Sequence, residues 1–211
     1  MKHLDGGGST FGQDYIPLLK KWGVPKQGRA FEWCSGPGFI GFSLLGHGLC
    51  ETLCLADINP QAVEACRRTI QDNRLGARVA VYHSDNLTSI PATEKWDLVV
   101  SNPPHFVDYL IGDLRGHDPD WHIHRGFYAA VGKYLNPGGV LVLQENNRGS
   151  TAETFRPMIE AAGLAIVFVC AGVPERTPGD RFYYIGVMRS GDAAPDWVRR
   201  LASGGKVADF A

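Results

Sequence analysis

Residues 30–60, AFEWCSGPGFIGFSLLGHGLCETLCLADINP, constrain this chain more than any other stretch. An apolar run at 30–34 has the length of a buried parallel strand, and Ser35-Gly36-Pro37-Gly38 breaks it at once. A helix is predicted from about Phe39, then a second apolar strand over 53–56 with Asp57 at its carboxyl end. Gly36 and Gly38 lack a β-carbon, so the backbone can turn tightly and a ligand can approach the amides that open the helix. An acidic side chain at the end of the next strand can accept hydrogen bonds from both hydroxyls of a ribose. Together these features predict a nucleoside site on an α/β sheet.

Two kinds of nucleoside site share that logic. Gly36-Pro37-Gly38-Phe39-Ile40-Gly41 matches the GxGxxG of a dinucleotide fold, with Asp57 near the usual distance for a ribose contact. Counted from Glu32, the run Glu32-Trp33-Cys34-Ser35-Gly36-Pro37-Gly38 resembles the E/DxGxGxG first motif of class I methyltransferases, with Cys34 in place of the first glycine. That resemblance implies S-adenosylmethionine (SAM) as cofactor, with contacts from Glu32, Cys34, Gly36, Gly38, Asp57 and Ile58. The glycines taken alone are also consistent with a plain strand-to-helix turn.

A length of 211 residues predicts one domain spanning 1–211. Its composition is that of a globular α/β protein, and a formal net charge of −1 argues against holding nucleic acid through a global basic bias. A local basic patch stays open. The five cysteines, Cys34, Cys50, Cys54, Cys66 and Cys170, are odd in number and fall mostly on predicted strands and helices. They read as core thiols rather than as disulfides or metal ligands, and no metal is expected. The sequence shows no apolar leader and nothing near the roughly 18 apolar residues of a membrane span, so a cytoplasmic location without a membrane partner is expected.

Residues 1–29 are read as an N-terminal region: a glycine-rich leader over 1–13 and a helix over 15–22 capped by Asp14. The leader is either mobile or a cap over the ligand, with Ser9 to Gln13 as the capping segment. Asn59 and Pro60 open a helix reaching to about residue 73, with Ala62, Val63, Cys66 and Ile70 on its buried stripe. A third strand over 78–83 ends in Ser84-Asp85-Asn86-Leu87. In the methyltransferase pattern a polar residue here meets the adenine amino group, which assigns Asp85, beside Asn86, to the cofactor.

A fourth strand over 96–101 runs straight into Asn102-Pro103-Pro104-His105-Phe106. This turn resembles the ND-PP-aromatic motif of N-methyltransferases acting on planar nitrogens, where the commoner aromatic is tyrosine or phenylalanine rather than His105. Such a nitrogen is a poor nucleophile because its lone pair is delocalised. A site must therefore hold its two hydrogens with acceptors and leave the lone pair facing the methyl group. The Asn102 side-chain oxygen and the Pro103 carbonyl can supply those acceptors. The resemblance implies Asn102, Pro103 and His105 as catalytic residues, Asn102 also touching cofactor, and Asn102, Pro104, His105, Phe106, His122 and Glu145 as substrate contacts.

Residues 107–121 show no clean periodicity, and their place after the fourth strand makes them a candidate substrate lid. His105, His117, His122 and His124, with Asp118, lack a recognised metal-ligand spacing and read as substrate or surface groups. A helix over 121–135 is stopped by Asn136-Pro137-Gly138-Gly139, and a strand over 140–144 follows. The run from Phe127 to Asn146 resembles the matching part of ribosomal RNA guanine-N2 and glutamine-N5 methyltransferases. A helix over 151–162, strands over 164–170 and 181–188 able to form a hairpin, and a loose tail over 190–211 complete the chain.

The expected fold is α/β: a doubly wound, seven-stranded, mostly parallel sheet with an antiparallel last strand. The expected function is SAM-dependent methyl transfer to a planar nitrogen of a small molecule, peptide or protein amide. A ribosomal or transfer RNA base is an alternative acceptor that the charge does not favour. An NAD-dependent dehydrogenase, on the literal GxGxxG, and a non-catalytic SAM-binding module are the readings of other classes.

Overall fold

The computed structural model describes residues 4, 6–107, 114–172 and 182–204. Its strands are β1 (Gln27–Trp33), β2 (Cys50–Asp57), β3 (Val79–His83), β4 (Trp96–Ser101), β5 (Leu135–Asn146), β6 (Leu164–Ala171) and β7 (Phe182–Arg189). They form one seven-stranded sheet in the order β3-β2-β1-β4-β5-β7-β6. Parallel pairing joins β3 through β5, and β7 runs antiparallel to both β5 and β6. The chain winds outward from β1 through β2 to β3, then returns to place β4 on the other side of β1. That reversal opens a crevice at the carboxyl ends of β1 and β4, where ligands of open α/β sheets bind.

Helices α1 (Tyr15–Lys21), α2 (Phe39–Gly46), α3 (Pro60–Asp72), α4 (His122–Val131), α5 (Ala152–Ala161) and α6 (Asp196–Gly204) cover the sheet. Alternation along the strands feeds a core on each face. Ala30, Leu98, Val100, Val140 and Val142 pack with α1, α2 and α6 residues such as Leu19, Leu44 and Trp197. Their neighbours Phe31, Trp33, Val99, Leu141 and Leu143 pack instead with Phe127, Val131, Phe155 and Ile159 of α4 and α5. Because the central strands are buried on both faces they read as continuous apolar runs.

Several expectations are corrected. Asp14 makes no side-chain cap on α1; it closes a 3-10 turn, Phe11–Asp14, that feeds directly into the helix, and its carboxyl is buried. The helix predicted over 121–135 ends at Val131 and passes through a 3-10 turn, Gly132–Tyr134, into β5. Asn136 to Gly139 belong to that strand, which starts at Leu135 opposite Trp96 and shifts register before Val140 pairs with Leu98. A β-carbon on Gly139 would stand 2.8 Å from the Trp96 carbonyl oxygen, so glycine lets the two strands close there. The tail is no loose end as far as it is described, since α6 buries Trp197 against Phe168. Residues 205–211, 108–113 of the candidate lid and 173–181 before β7 lie outside the described residues.

The leader lies against the sheet. Gln13 donates to the carbonyls of Gly8 and Phe39 and accepts from Ser43, Gln144 donates to the Phe11 carbonyl, and the rings of Phe11 and Phe182 stand 4.5 Å apart. Four of these contacts tie it to α2, β5 and β7. Among the described residues no helix is long and apolar enough to cross a membrane.

Candidate functional site

A cavity of about 330 Å³ opens at the carboxyl ends of β1, β2 and β4, within the size range of small-molecule sites. Trp33, Cys34 and Gly36 line it from β1 and the turn after it, Ala56, Asp57, Ile58 and Asn59 from β2 and its end, Ser84, Asp85 and Asn86 from the turn after β3, and Asn102 and Pro104 from the turn after β4. Leu4 and Gly6 of the leader, Arg115 and His117 of the loop after β4, Ile123 of α4 and Ala62 of α3 complete the wall.

The glycine turn is built for close approach. Gly36 and Gly38 have φ of 51° and 81°, a region side chains disfavour, and Cys34 adopts 51° where the related motif carries glycine. A β-carbon on Gly38 would come within 2.8 Å of the Phe42 ring. Asp57 pins the turn: its Oδ2 accepts from the Gly36 amide at 2.7 Å and its Oδ1 from Asn59 at 2.8 Å. Burial raises its pKa against those amide bonds, and each oxygen keeps a further lone pair for a diol. Ile58, 62% exposed, offers an apolar surface at the rim.

Glu32 takes a different place from the one expected. Its carboxylate lies behind the turn, accepting from the amides of Ile40 at 3.3 Å and Gly41 at 2.7 Å, and it is not among the lining residues. Burial pushes its pKa up to about 8 despite those two bonds. A β-carbon on Gly41 would meet Glu32 Oε2 at 2.8 Å. The last glycine of the literal GxGxxG thus serves a carboxylate on the chain itself. Gly38 likewise packs beneath the turn and does not line the cavity.

The Asn-Pro-Pro turn is anchored by Ser101, whose hydroxyl donates to the Trp33 carbonyl at 2.6 Å, and by Tyr15, which donates to the carbonyl of Ser101 at 2.7 Å. Both amide atoms of the Asn102 side chain are buried without a hydrogen-bond partner and lie on the cavity wall. Asn86 repeats the pattern. Its Nδ2 donates to the Ile123 carbonyl while its Oδ1 is buried and unpartnered at the cavity. Asp85 lines the cavity from an exposed position.

Other expected substrate residues are placed elsewhere. His105 and Phe106 donate their amides to the Gly116 carbonyl and turn their rings toward each other and, for His105, toward Phe182. Neither they nor Pro103 line the cavity. Gly149 packs beneath this turn so tightly that a β-carbon would overlap the His105 carbonyl. His122 is a surface residue with its side chain 64% exposed. Glu145 is fully buried at the end of β5, with its Oε1 3.0 Å from His124 Nε2, and His124 Nδ1 is 2.7 Å from Asp118 Oδ2. Sequence reasoning missed Trp33, Ile123 and Arg115 as lining residues, although Arg115 falls inside the stretch read as a lid; His117, read as a substrate or surface group, lines the cavity. Among the described residues no group of three or more His, Cys, Asp or Glu is arranged to hold a metal ion.

The family model described as methyltransferase small domain matches residues 15–163. The ribosomal protein uL3 glutamine methyltransferase of Neisseria gonorrhoeae is 26% identical over 169 residues, 74% of this chain and 52% of that protein. The release factor glutamine methyltransferase of Clostridium acetobutylicum is 32% identical over 131 residues, 55% of this chain and 46% of that protein. The chain thus spans about half the length of these curated relatives. In fold it is similar to an S-adenosylmethionine-dependent methyltransferase from Clostridium acetobutylicum, with a TM-score of 0.62 at 11% identity over 86% of this chain and 91% of that one. A 16S rRNA N2 G1207 methyltransferase of T. thermophilus, solved with AdoMet and guanosine, gives 0.58 at 16% identity over 88% of this chain and 43% of that one. With the family model covering most of its length, the chain belongs to the methyltransferase small domain family.

Proposed function

We propose that this protein binds SAM in the cavity and transfers its methyl group to a planar amide nitrogen of a peptide, protein or small molecule. The observation that carries the reading is Asn102: a buried side-chain amide, with both polar atoms unpartnered, on the same wall system as Asp57 and the glycine turn. The residues present suit such a cofactor. Asp57 has lone pairs left for the ribose hydroxyls, Ile58 offers an apolar face for the adenine, and Asp85 with the unpartnered Asn86 Oδ1 can accept from its amino group. The Gly36 backbone leaves room for the chain beyond the ribose.

When bound, SAM supplies an already activated methyl group. What remains for the chain is positioning. Asn102 Oδ1 would accept a hydrogen of the acceptor nitrogen and so hold its lone pair toward the methyl group. Bound SAM would supply the methyl group to that nitrogen, whose proton would pass to solvent. No general base is needed. Two of the relatives are named as protein glutamine methyltransferases, which supports an amide acceptor, and the net charge of −1 favours it over a nucleic-acid base.

Calorimetric titration with SAM and with NAD, followed by transfer of labelled methyl from SAM to glutamine-containing peptides and to guanosine-containing RNA fragments, tests the reading. Binding of SAM but not NAD, with label in the peptide, is expected. Binding of NAD alone would overturn the cofactor assignment, and label only in RNA would overturn the acceptor.

A further inference from the structure

Behind the cavity wall, and unused by the chemistry above, three titratable side chains form a buried row. Asp118, at the end of the segment that follows the Asn-Pro-Pro turn, accepts from the amides of Ile123 and His124 at 2.9 and 3.1 Å, so it closes the start of α4 as well as facing the His124 ring. His124 reaches from α4 to Glu145 on β5. Asp118, His124 and Glu145 are all wholly buried. Both ring nitrogens of His124 face carboxylate oxygens, at 2.7 and 3.0 Å, and a carboxylate can only accept. Burial raises the Glu145 pKa while the charge of His124 lowers it; with both carboxylates ionised both nitrogens donate and the ring is an imidazolium, stacked on Phe155 and edged by Trp33 and Trp121.

This row has a mechanical consequence. The segment carrying Arg115 and His117 is joined to the Asn-Pro-Pro turn by the amides of His105, Phe106 and Asp118. Its far end is joined to the sheet through Asp118, His124 and Glu145, while Ile123, next to His124, lines the cavity and receives Asn86. We propose that His124 is a positioning residue: a charged strut that holds the wall formed by Arg115, His117 and Ile123 against the cofactor cavity. The strut rests on the reading of the cavity as a SAM site.

The strut has a titration of its own. Burial alone would depress the His124 pKa, but the charge of Glu145 and hydrogen bonds to Asp118 and Glu145 push it up to about 9. The groups that share this field are Asp118 and Glu145 themselves, His122 beside Asp118, Tyr128 on α4, Tyr183 on β7 and Cys34 after β1. Burial drives Tyr128, Tyr183 and Cys34 upward, so they stay neutral while the ring loses its proton.

Three measurements on the whole protein decide the matter: the ring N–H protons of His124 by NMR, protection factors of the Phe106 and Asp118 amides, and affinity for S-adenosylhomocysteine by calorimetry, each from pH 6 to 10. The expected result has wild-type ring protons, amide protection and affinity falling together near pH 9, affinity by about tenfold. In His124→Gln the affinity at pH 7 is already lowered by about that factor and the step near pH 9 disappears, which separates the strut from titration of the ligand's own amine. Glu145→Gln keeps an acceptor for Nε2 but removes a charge, so the step moves to lower pH. Flat protection while the ring protons titrate, or wild-type affinity in His124→Gln, overturns the strut. If wild-type protein binds no S-adenosylhomocysteine at pH 7 the cofactor reading fails instead, and the strut stands or falls on amide protection alone.

Discussion

A buried amide left without partners costs about 1–3 kcal/mol, and Asn102 leaves both of its amide atoms so at the wall of the cavity. The surrounding turn makes this tolerable because Ser101 and Tyr15 lock the backbone on either side of the strand end. Asn102→Ala should therefore spare the fold and SAM affinity while turnover falls by about 10² to 10³, as for other positioned hydrogen-bonding groups. Single-turnover methyl transfer with a parallel SAM titration checks this, and retained turnover would remove the planar-nitrogen mechanism. On the proposed reading Asp57 holds the ribose as well as pinning the turn. Asp57→Ala should weaken SAM about tenfold to a hundredfold and, because Gly36 and Asn59 lose their acceptor, also lower stability in urea. Gly41→Ala tests a different point. Its β-carbon would stand 2.8 Å from Glu32 Oε2 and from Leu55, so a loss of about 1–3 kcal/mol in denaturant stability is expected. If the glycine instead served a bound pyrophosphate, stability would hardly change.

At the scale of elements, α4 and β5 are joined by a charge as well as by packing, and this makes stability depend on pH in a stated direction. His124 has a folded pKa of about 9, above the roughly 6.5 of an unfolded histidine. Its contribution is fully present below about pH 6.5 and is lost as pH rises through about 9. Glu32, whose folded pKa of about 8 is also raised, acts in the same sense: its buried neutral form is favoured until the pH climbs from the roughly 4.3 of an unfolded glutamate to about 8. Denaturant stability should therefore fall between pH 6.5 and 9, by on the order of 2–3 kcal/mol from His124 alone. The fall contributed by His124 should vanish in His124→Gln, as urea titrations across that range would reveal. Equal slopes in both proteins would mean that the ring is neutral in the fold.

For the whole molecule, the leader, the sheet and the loop after β4 meet at one crevice, and the leader can be removed without cutting the sheet. Deleting residues 1–13 takes away Leu4 and Gly6 from the cavity and the contacts of Phe11 and Gln13. SAM affinity should drop about tenfold, equivalent to about 1.4 kcal/mol, with amide protection in β1 and β4 unchanged. Unaltered affinity would show the leader to be a bystander. What the sequence determined by itself was local: apolar runs of strand length, the break at Gly36 and Gly38, the acidic end of β2, and the stiff Asn-Pro-Pro turn at the end of β4. Sterics and periodicity act between near neighbours, so these features are legible in a row of residues, and with them the doubly wound sheet and the family. Tertiary structure decided which of the expected residues face the cavity. Glu32 turns behind the glycine loop, Glu145 pairs with His124, Gly149 seats His105, and Arg115 and His117 join the wall. Each of those outcomes rests on contacts between segments far apart in the chain, and no spacing within a single segment encodes them.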